Sequence, residues 1–477
     1  MGVASTAPAY SLAATLGFIV AVPAMGLHAP AVLLVSFVPI LLIAFAYKYL
    51  NRADPDCGTT FAWGTRAMGP WVGWINGWAI FVADVIVMAS LSVIASTYTY
   101  LLFGWDGGAN STFWIVFGAA VWIAVMTWIC WRGIELSARI QQFLLAAELL
   151  ILVAFAVVAL VKAYANAPAH SVRISADWFN PFALGFSPLV DGMLLGIFIY
   201  WGWDSGVMVN EETESSAEAP GRAAVMSTLI LLAIYVIVGA SAQSYGGTQT
   251  LIDNSDDVLR VLGGSVFGSP WDKLLIIAVL TSASASTQTT ILPTARTTLS
   301  MARWKAIPSI FGHIHPRNLT PDVSTLAMGG ISILLTVLLV AFNSSQDVLG
   351  DSITAVGFPI LFYYGFTGLV SVVYFRKQLL HNWKHLVMAG IIPLVGFGVM
   401  AAIFVKAFHD YSLPDAGYAA PLWGIQIPIV IGIGSLLLGI PLMILCRLKY
   451  REFFSRRLEV AAPGSLDAQP EQVSLHF

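Results

Sequence analysis

The 477-residue chain is 58% apolar and only 10% charged, with a mean hydropathy of +0.79, whereas a soluble domain is typically about 25% charged. That excludes a string of soluble domains and reads as an all-α polytopic membrane protein. The formal net charge of −3, with no basic stripe outside short loops, excludes nucleic-acid binding, and Cys57, Cys130 and Cys446 are too few and too scattered for a disulfide framework or a metal site.

Apolar stretches of about 20 residues, enough to cross a bilayer, recur near 4–26, 29–50, 70–103, 113–131, 140–164, 188–210, 222–244, 271–300, 323–342, 352–375, 385–407 and 421–446. They predict twelve spans, the third and eighth long enough to tilt. No basic residue precedes the first stretch and further spans follow, so it reads as a span rather than a signal peptide. With the N-terminus inside, only Lys162, Arg173, Arg260, Lys273 and Lys406 fall outside. The remaining basic residues, from Lys48 to Arg457, fall on the cytoplasmic side, the expected bias. Both termini are then cytoplasmic, in a cytoplasmic membrane. The outer loops carry acids, among them Asp106, Asp253, Asp256, Asp257, Asp347, Asp351, Asp410 and Asp415. The polar tail at 458–477, with Pro463 and Pro470, is expected to be disordered.

The first span contains ASTAPAYSL at 4–12. Pro8 lacks an N–H and disrupts the preceding turn, and Ser5, Thr6 and Ser11 surround it with short polar groups. Asp84 is an acid inside the third span, read equally as a structural hydrogen-bonding group or as part of a pathway. The sixth span contains IYWGWDSGVMVN at 199–210. Gly202 and Gly206 lower helix propensity, Trp201 and Trp203 flank the first of them, and Asp204 brings a charge. Two half-helices joined by unwound residues would explain this pattern. At bilayer depth such a break is tolerated where it lines a cavity. Free carbonyls ending one half attract a cation, and free N–H groups opening the next attract an anion. The alternatives are a proline kink satisfied by serine hydroxyls and a glycine packing face with Asp204 bonded to a neighbouring helix. Breaks in the first and sixth of twelve spans favour the paired reading, since two inverted five-span repeats would place them together. No loop is long enough for a separate domain, and no GxSxG, HExxH, P-loop or histidine cluster occurs. Neither an enzyme nor a cofactor is therefore expected.

These features resemble the amino acid–polyamine–organocation (APC) superfamily of secondary transporters over nearly the whole chain. FIYWGWDSGVMVNEE at 198–212 resembles its sixth-helix signature. CGTTFAWGTRAMGPWVGWINGW at 57–78 resembles the loop leading into the third helix, RGIELSARIQ at 132–141 the loop before the fifth, and FGHIHPRNLTP at 311–321 the loop after the eighth. The resemblance implies a leucine-transporter-like 5+5 inverted repeat, 1–164 and 165–383, with two peripheral helices at 384–457. It also places a longer first half-helix and a cytoplasmic segment ahead of the break, so the written start is expected to be too late.

By the same resemblance, a substrate ammonium would meet carbonyls at Phe198, Ile199 and Trp201, and a substrate carboxylate would meet N–H groups around Ser5, Thr6, Ala7 and Pro8. Three departures from the family pattern stand out. The usual Gly-x-Gly of the first break is replaced by Ser-Thr-Ala-Pro, which weighs toward a substrate without a carboxylate. Trp201 replaces a small residue. Glu148 stands where many relatives place a lysine near the second sodium site, and offers a proton acceptor or cation ligand for coupling; its alternative role is a carboxyl bonded to hydroxyls such as those of TSASASTQTT at 281–290. Glu211 and Glu212, at the cytoplasmic end of the sixth helix, are read either as an inner gate or as a solvated acidic loop. The expected function is a permease that imports amino acids by alternating access, with protons as coupling ion. Its rivals are a polyamine or other organic-amine transporter, supported by Glu148 and Asp204, and a non-transporting channel or nutrient sensor. The expected partners are a small amino acid or amine substrate, protons and the lipid bilayer.

Overall fold

The computed structural model describes residues 1–456 apart from Asp256, Asn343, Ser344, Asp415 and Tyr418, with only the backbone of 134–138 and 341–349. The tail at 458–477, and the outer acids Asp256 and Asp415, lie outside the described residues, as does the side chain of Asp347.

The chain folds as helices throughout its described part: α1 (Gly2–Ser5), α2 (Pro8–Ala21), α3 (Ala29–Ala53), α4 (Thr60–Met68), α5 (Pro70–Leu102), α6 (Asp106–Ala109), α7 (Thr112–Arg132), α8 (Ile134–Ala165), α9 (Phe186–Tyr200), α10 (Ala219–Asp253), α11 (Val258–Phe267), α12 (Lys273–Arg303), α13 (Asp322–Phe342), α14 (Ser345–Tyr374), α15 (Trp383–His385), α16 (Ile392–Tyr411), α17 (Gly434–Lys449) and α18 (Arg451–Phe454). Among the described residues β pairing is limited to an isolated bridge between Leu422 and Ile425. Among the described residues eleven helices are long and apolar enough to cross a membrane. The opening segment falls short of that criterion because it is cut in two.

Burial separates the core helices from the periphery. The apolar window of α5 is 94% buried and that of α12 is 78%, against 17% for the final span. Helix α12 packs along α5, α8 and α2, while α10 packs along α3, α8 and α2. The short α2 is thus enclosed on several sides, and its residues from Pro8 to Val20 are all buried. A helix that is apolar all round belongs in such a position.

Three details differ from the sequence expectation. The last span begins near Ile429 rather than at 421, because Gly424 at φ 78° turns the chain back on itself. The stretch after the sixth-helix break is not a second α-helix but two 3₁₀ turns, Trp203–Gly206 and Asn210–Glu212. Three shorter helices, α4, α6 and α11, fall between the predicted spans.

Candidate functional site

The first interruption lies at Thr6–Ala7, between α1 and α2. Ala7 takes a left-handed conformation, φ 47° and ψ 66°, which costs an L-residue about 1–2 kcal/mol. Pro8 then opens α2 at its first position, where the missing N–H is harmless and the fixed φ suits a helix. The second interruption lies at Trp201–Gly202, with Gly202 at φ 107°, a value that favours glycine. The two interruptions touch. A Cβ added at Gly202 would lie 2.9 Å from Ser5 Oγ and 3.1 Å from the Ser5 carbonyl carbon and oxygen. Ser5, at 5 in sequence, and Gly202 therefore meet inside the bundle, and the residues around them are buried.

The polar groups released by the breaks have partners. At the start of α2 the Ala9 N–H donates to Glu148 Oε1 at 2.7 Å and the Tyr10 N–H to Ser282 Oγ at 3.1 Å. Ser282 Oγ also donates to Glu148 Oε1, at 2.7 Å. Glu148 thus reaches from α8 to cap the positive end of α2. It is fully buried, and its second oxygen, Oε2, has no hydrogen-bond partner among the described residues. Within residues 5–8, the N–H groups of Ser5, Thr6 and Ala7 donate to Met1, Gly2 and Ala4 carbonyls. On the acceptor side, Ser286 Oγ donates to the Ser5 carbonyl at 2.8 Å. The Tyr235 hydroxyl donates to the Ile199 carbonyl at 2.7 Å and lies 3.4 Å from the Thr6 carbonyl.

Asp204 sits in a cage of tyrosines. Tyr364 donates to Oδ1 at 2.8 Å; Tyr363 and Tyr47 reach Oδ2 at 3.1 and 3.4 Å. The Trp201 indole N–H donates to the Tyr363 hydroxyl. The carboxylate therefore ties the 3₁₀ turn after the second break to α3 and α14. Asp84, on α5, accepts from the Thr294 hydroxyl of α12.

Two buried interruptions thus meet in the bundle, with side chains bonded to the polar groups they release. A family model described as amino acid permease matches residues 3–434. The chain belongs to the amino acid permease family. Among its relatives is an uncharacterised transporter of Mycobacterium tuberculosis, 25% identical over 68% of this chain and 69% of its own. An arginine/ornithine antiporter of Latilactobacillus sakei is 23% identical over 76% of this chain and 74% of its own. The branched-chain amino acid permease BcaP of Bacillus subtilis is 22% identical over 63% of this chain and 65% of its own. The expected superfamily is thereby borne out.

At the far end of the sixth segment, the permease is laced by ion pairs. The Arg296 guanidinium, 2% exposed, meets both oxygens of Glu212, at 2.7 and 3.2 Å. Arg303 meets Glu211 Oε2 at 2.8 Å, and the Cys57 N–H donates to Glu211 Oε1 at 3.0 Å. Asp56 accepts from the Gly58 N–H, the Ser300 hydroxyl and the Trp304 indole, at 2.8, 2.8 and 3.2 Å. Burial pushes the Asp56 carboxyl above its ordinary value, and these hydrogen bonds only partly offset it. Asp56, Cys57 and Glu211 lie close enough for a shared ion, but their oxygens are already taken by N–H groups, a hydroxyl and a guanidinium. The cluster is better suited to joining α12 to the loop before α4 and to the end of the sixth segment.

Sequence reasoning paired the two segments that meet at Ser5 and Gly202, and it named the 281–290 hydroxyls that include the Glu148 partner Ser282. It missed Tyr47, Tyr235, Tyr363, Tyr364 and Arg296. Each sits in an apolar helix, where a lone tyrosine or arginine carries no local signal of its distant partner.

Proposed function

We propose that this permease imports amino acids across the cytoplasmic membrane by alternating access, with protons as coupling ion and both termini cytoplasmic. The single observation that carries this reading is the contact between the two helix breaks at Ser5 and Gly202. Broken helices at mid-bundle are where substrate and coupling sites lie in inverted-repeat transporters. In this reading residues 1–164 and 165–383 are the two repeats and 384–457 the peripheral helices. The substrate ammonium lies at the carbonyls of Phe198, Ile199 and Trp201, and Ser5, Thr6, Ala7 and Pro8 form the opposite wall. Asp204 shapes the wall through its tyrosines, and Asp84 holds α5 against α12. Glu148 is the coupling group: protonation of its buried carboxyl weakens the cap on α2 and links proton occupancy to the geometry of the first break. Glu211 and Glu212 close the inner end through Arg303 and Arg296.

One observation favours a second reading, an organic amine as substrate. The donors at the start of α2 that would bind a substrate carboxylate are held by Glu148 and Ser282, and Pro8 has none.

The experiment is uptake by proteoliposomes across a panel of amino acids and amines under an imposed pH gradient. Accumulation against a concentration gradient, abolished by a proton uncoupler, is expected. Flux without accumulation points to a channel. Putrescine that is itself accumulated, and outcompetes every amino acid, points to the amine reading.

A further inference from the structure

Tyr235 holds a position that nothing in its sequence neighbourhood announces. It is fully buried on α10, with its ring edge-on to Tyr200 at 5.0 Å. Its hydroxyl is aimed at the carbonyls that end the first half of each broken helix, 2.7 Å from Ile199 O and 3.4 Å from Thr6 O. Ile199 O lies at the negative end of α9, and Thr6 O follows the single turn of α1. A tyrosine hydroxyl has one proton to give, so it bonds Ile199 well and Thr6 poorly. Thr6 O is completed by Ser11 Oγ at 2.6 Å.

An ammonium group would do better at the same place. It carries three donors, and charge-assisted hydrogen bonds are roughly twice as strong as neutral ones. The opposite pole is filled in the same manner. The Glu148 carboxylate takes the Ala9 N–H where an external anion would bind. The site is thus satisfied by side chains at both poles, a hydroxyl donor at the carbonyl pole and a carboxyl acceptor at the amide pole.

We propose that Tyr235 is a specificity-determining residue whose hydroxyl competes for the cation pole and is displaced by the ammonium of the substrate. This rests on the transport reading above. The hydroxyl competes with substrate on binding, and its return to Ile199 O assists release. Deleting it therefore tightens binding and slows turnover. A hydroxyl that only satisfies a buried carbonyl would leave KM unmoved when lost, and one that directly binds substrate would raise KM.

The test uses the full chain in proteoliposomes with L-arginine, L-leucine, agmatine and 3-methylbutylamine as probes. For whichever probe the wild type transports, Tyr235→Phe is expected to lower KM three- to tenfold and to lower kcat by a similar factor, leaving kcat/KM little changed. Replacing Tyr235 with 3,5-difluorotyrosine, a stronger donor of the same shape, is expected to raise KM, and this arm stands if the phenylalanine variant does not fold. An unchanged or raised KM in Tyr235→Phe, or an unchanged or lowered KM with difluorotyrosine, overturns the proposal. A wild type that moves none of the probes overturns the transport reading and this proposal with it; a wild type that transports normally, beside variants with unmoved KM, overturns this proposal alone.

Discussion

Two small residues set the geometry of the site. Ala7 holds a left-handed conformation beside Pro8. Glycine at that position removes the strain, whereas a β-branched side chain aggravates it. Ala7→Val is expected to cost about 1–3 kcal/mol and to abolish transport, while Ala7→Gly remains active; detergent-solubilised thermal unfolding and uptake measure both. Gly202 is constrained twice, by its φ of 107° and by Ser5 at 2.9 Å. Gly202→Ala is expected to reduce uptake at least tenfold. Gly206→Ala is the control, because its Cβ would meet only Gly2 N, at 3.7 Å, and uptake should stay near wild type. For Glu148, the neutral Gln retains an acceptor for the Ala9 N–H but cannot exchange a proton. Uptake by Glu148→Gln is expected to lose its dependence on an imposed pH gradient, and unchanged dependence would remove Glu148 from coupling. What was legible at this scale was the pair of interruptions, because Pro8 and Gly202 are local backbone effects. The left-handed Ala7 was not legible: alanine carries no bias toward that region, and the strain is imposed by packing.

Among the elements, the clearest functional grouping is the clasp formed by the end of the sixth segment, α12 and the loop around Asp56. Arg296 is buried with a bidentate partner, so Arg296→Gln leaves Glu212 unpaired at the mouth of the bundle. The loss of stability should fall below the roughly 3–5 kcal/mol typical of fully buried pairs, because Glu212 is 33% exposed. The more sensitive readout is Cys57, itself 2% exposed beside this clasp. Its labelling by a small maleimide, in a background with Cys130 and Cys446 replaced, is expected to quicken severalfold in Arg296→Gln.

Asp56 gives the same clasp a pH dependence whose sign follows from its raised carboxyl pKa. The folded loop binds the proton more tightly than the unfolded chain does, so the stability Asp56 contributes is full below the ordinary value of 3.8 and is lost as pH rises through its native value. Relative to Asp56→Asn at the same pH, Cys57 labelling in the wild type should therefore increase as pH rises. A ratio flat with pH would contradict this. The spans were largely legible because long apolar runs announce themselves. The short helices α4 and α11 were not, since their few apolar residues lie between longer runs. The unwound second half of the sixth segment was read as helix for the same reason: nothing local distinguishes a 3₁₀ turn held by tertiary bonds.

For the whole molecule, composition settled the membrane class, and the motifs settled the family that the family model bears out. The walls of the site were hidden because they are assembled from distant segments. Tyr47, Tyr363 and Tyr364 come to Asp204 from 157, 159 and 160 residues away along the chain, and Glu148 comes to Ala9 from 139. No periodicity in one helix encodes such meetings. They follow only once α3, α8 and α14 surround the two breaks. The central claim is that these breaks form one substrate pocket. The most direct measurement of it is protection from thiol labelling at Ser5→Cys, with Cys57, Cys130 and Cys446 replaced, in proteoliposomes with and without a saturating amino acid or amine that the protein transports. The transported compound is expected to slow labelling at least fivefold, while a non-transported analogue leaves it unchanged. Labelling at Ser5→Cys that ignores every transported compound would contradict the claim.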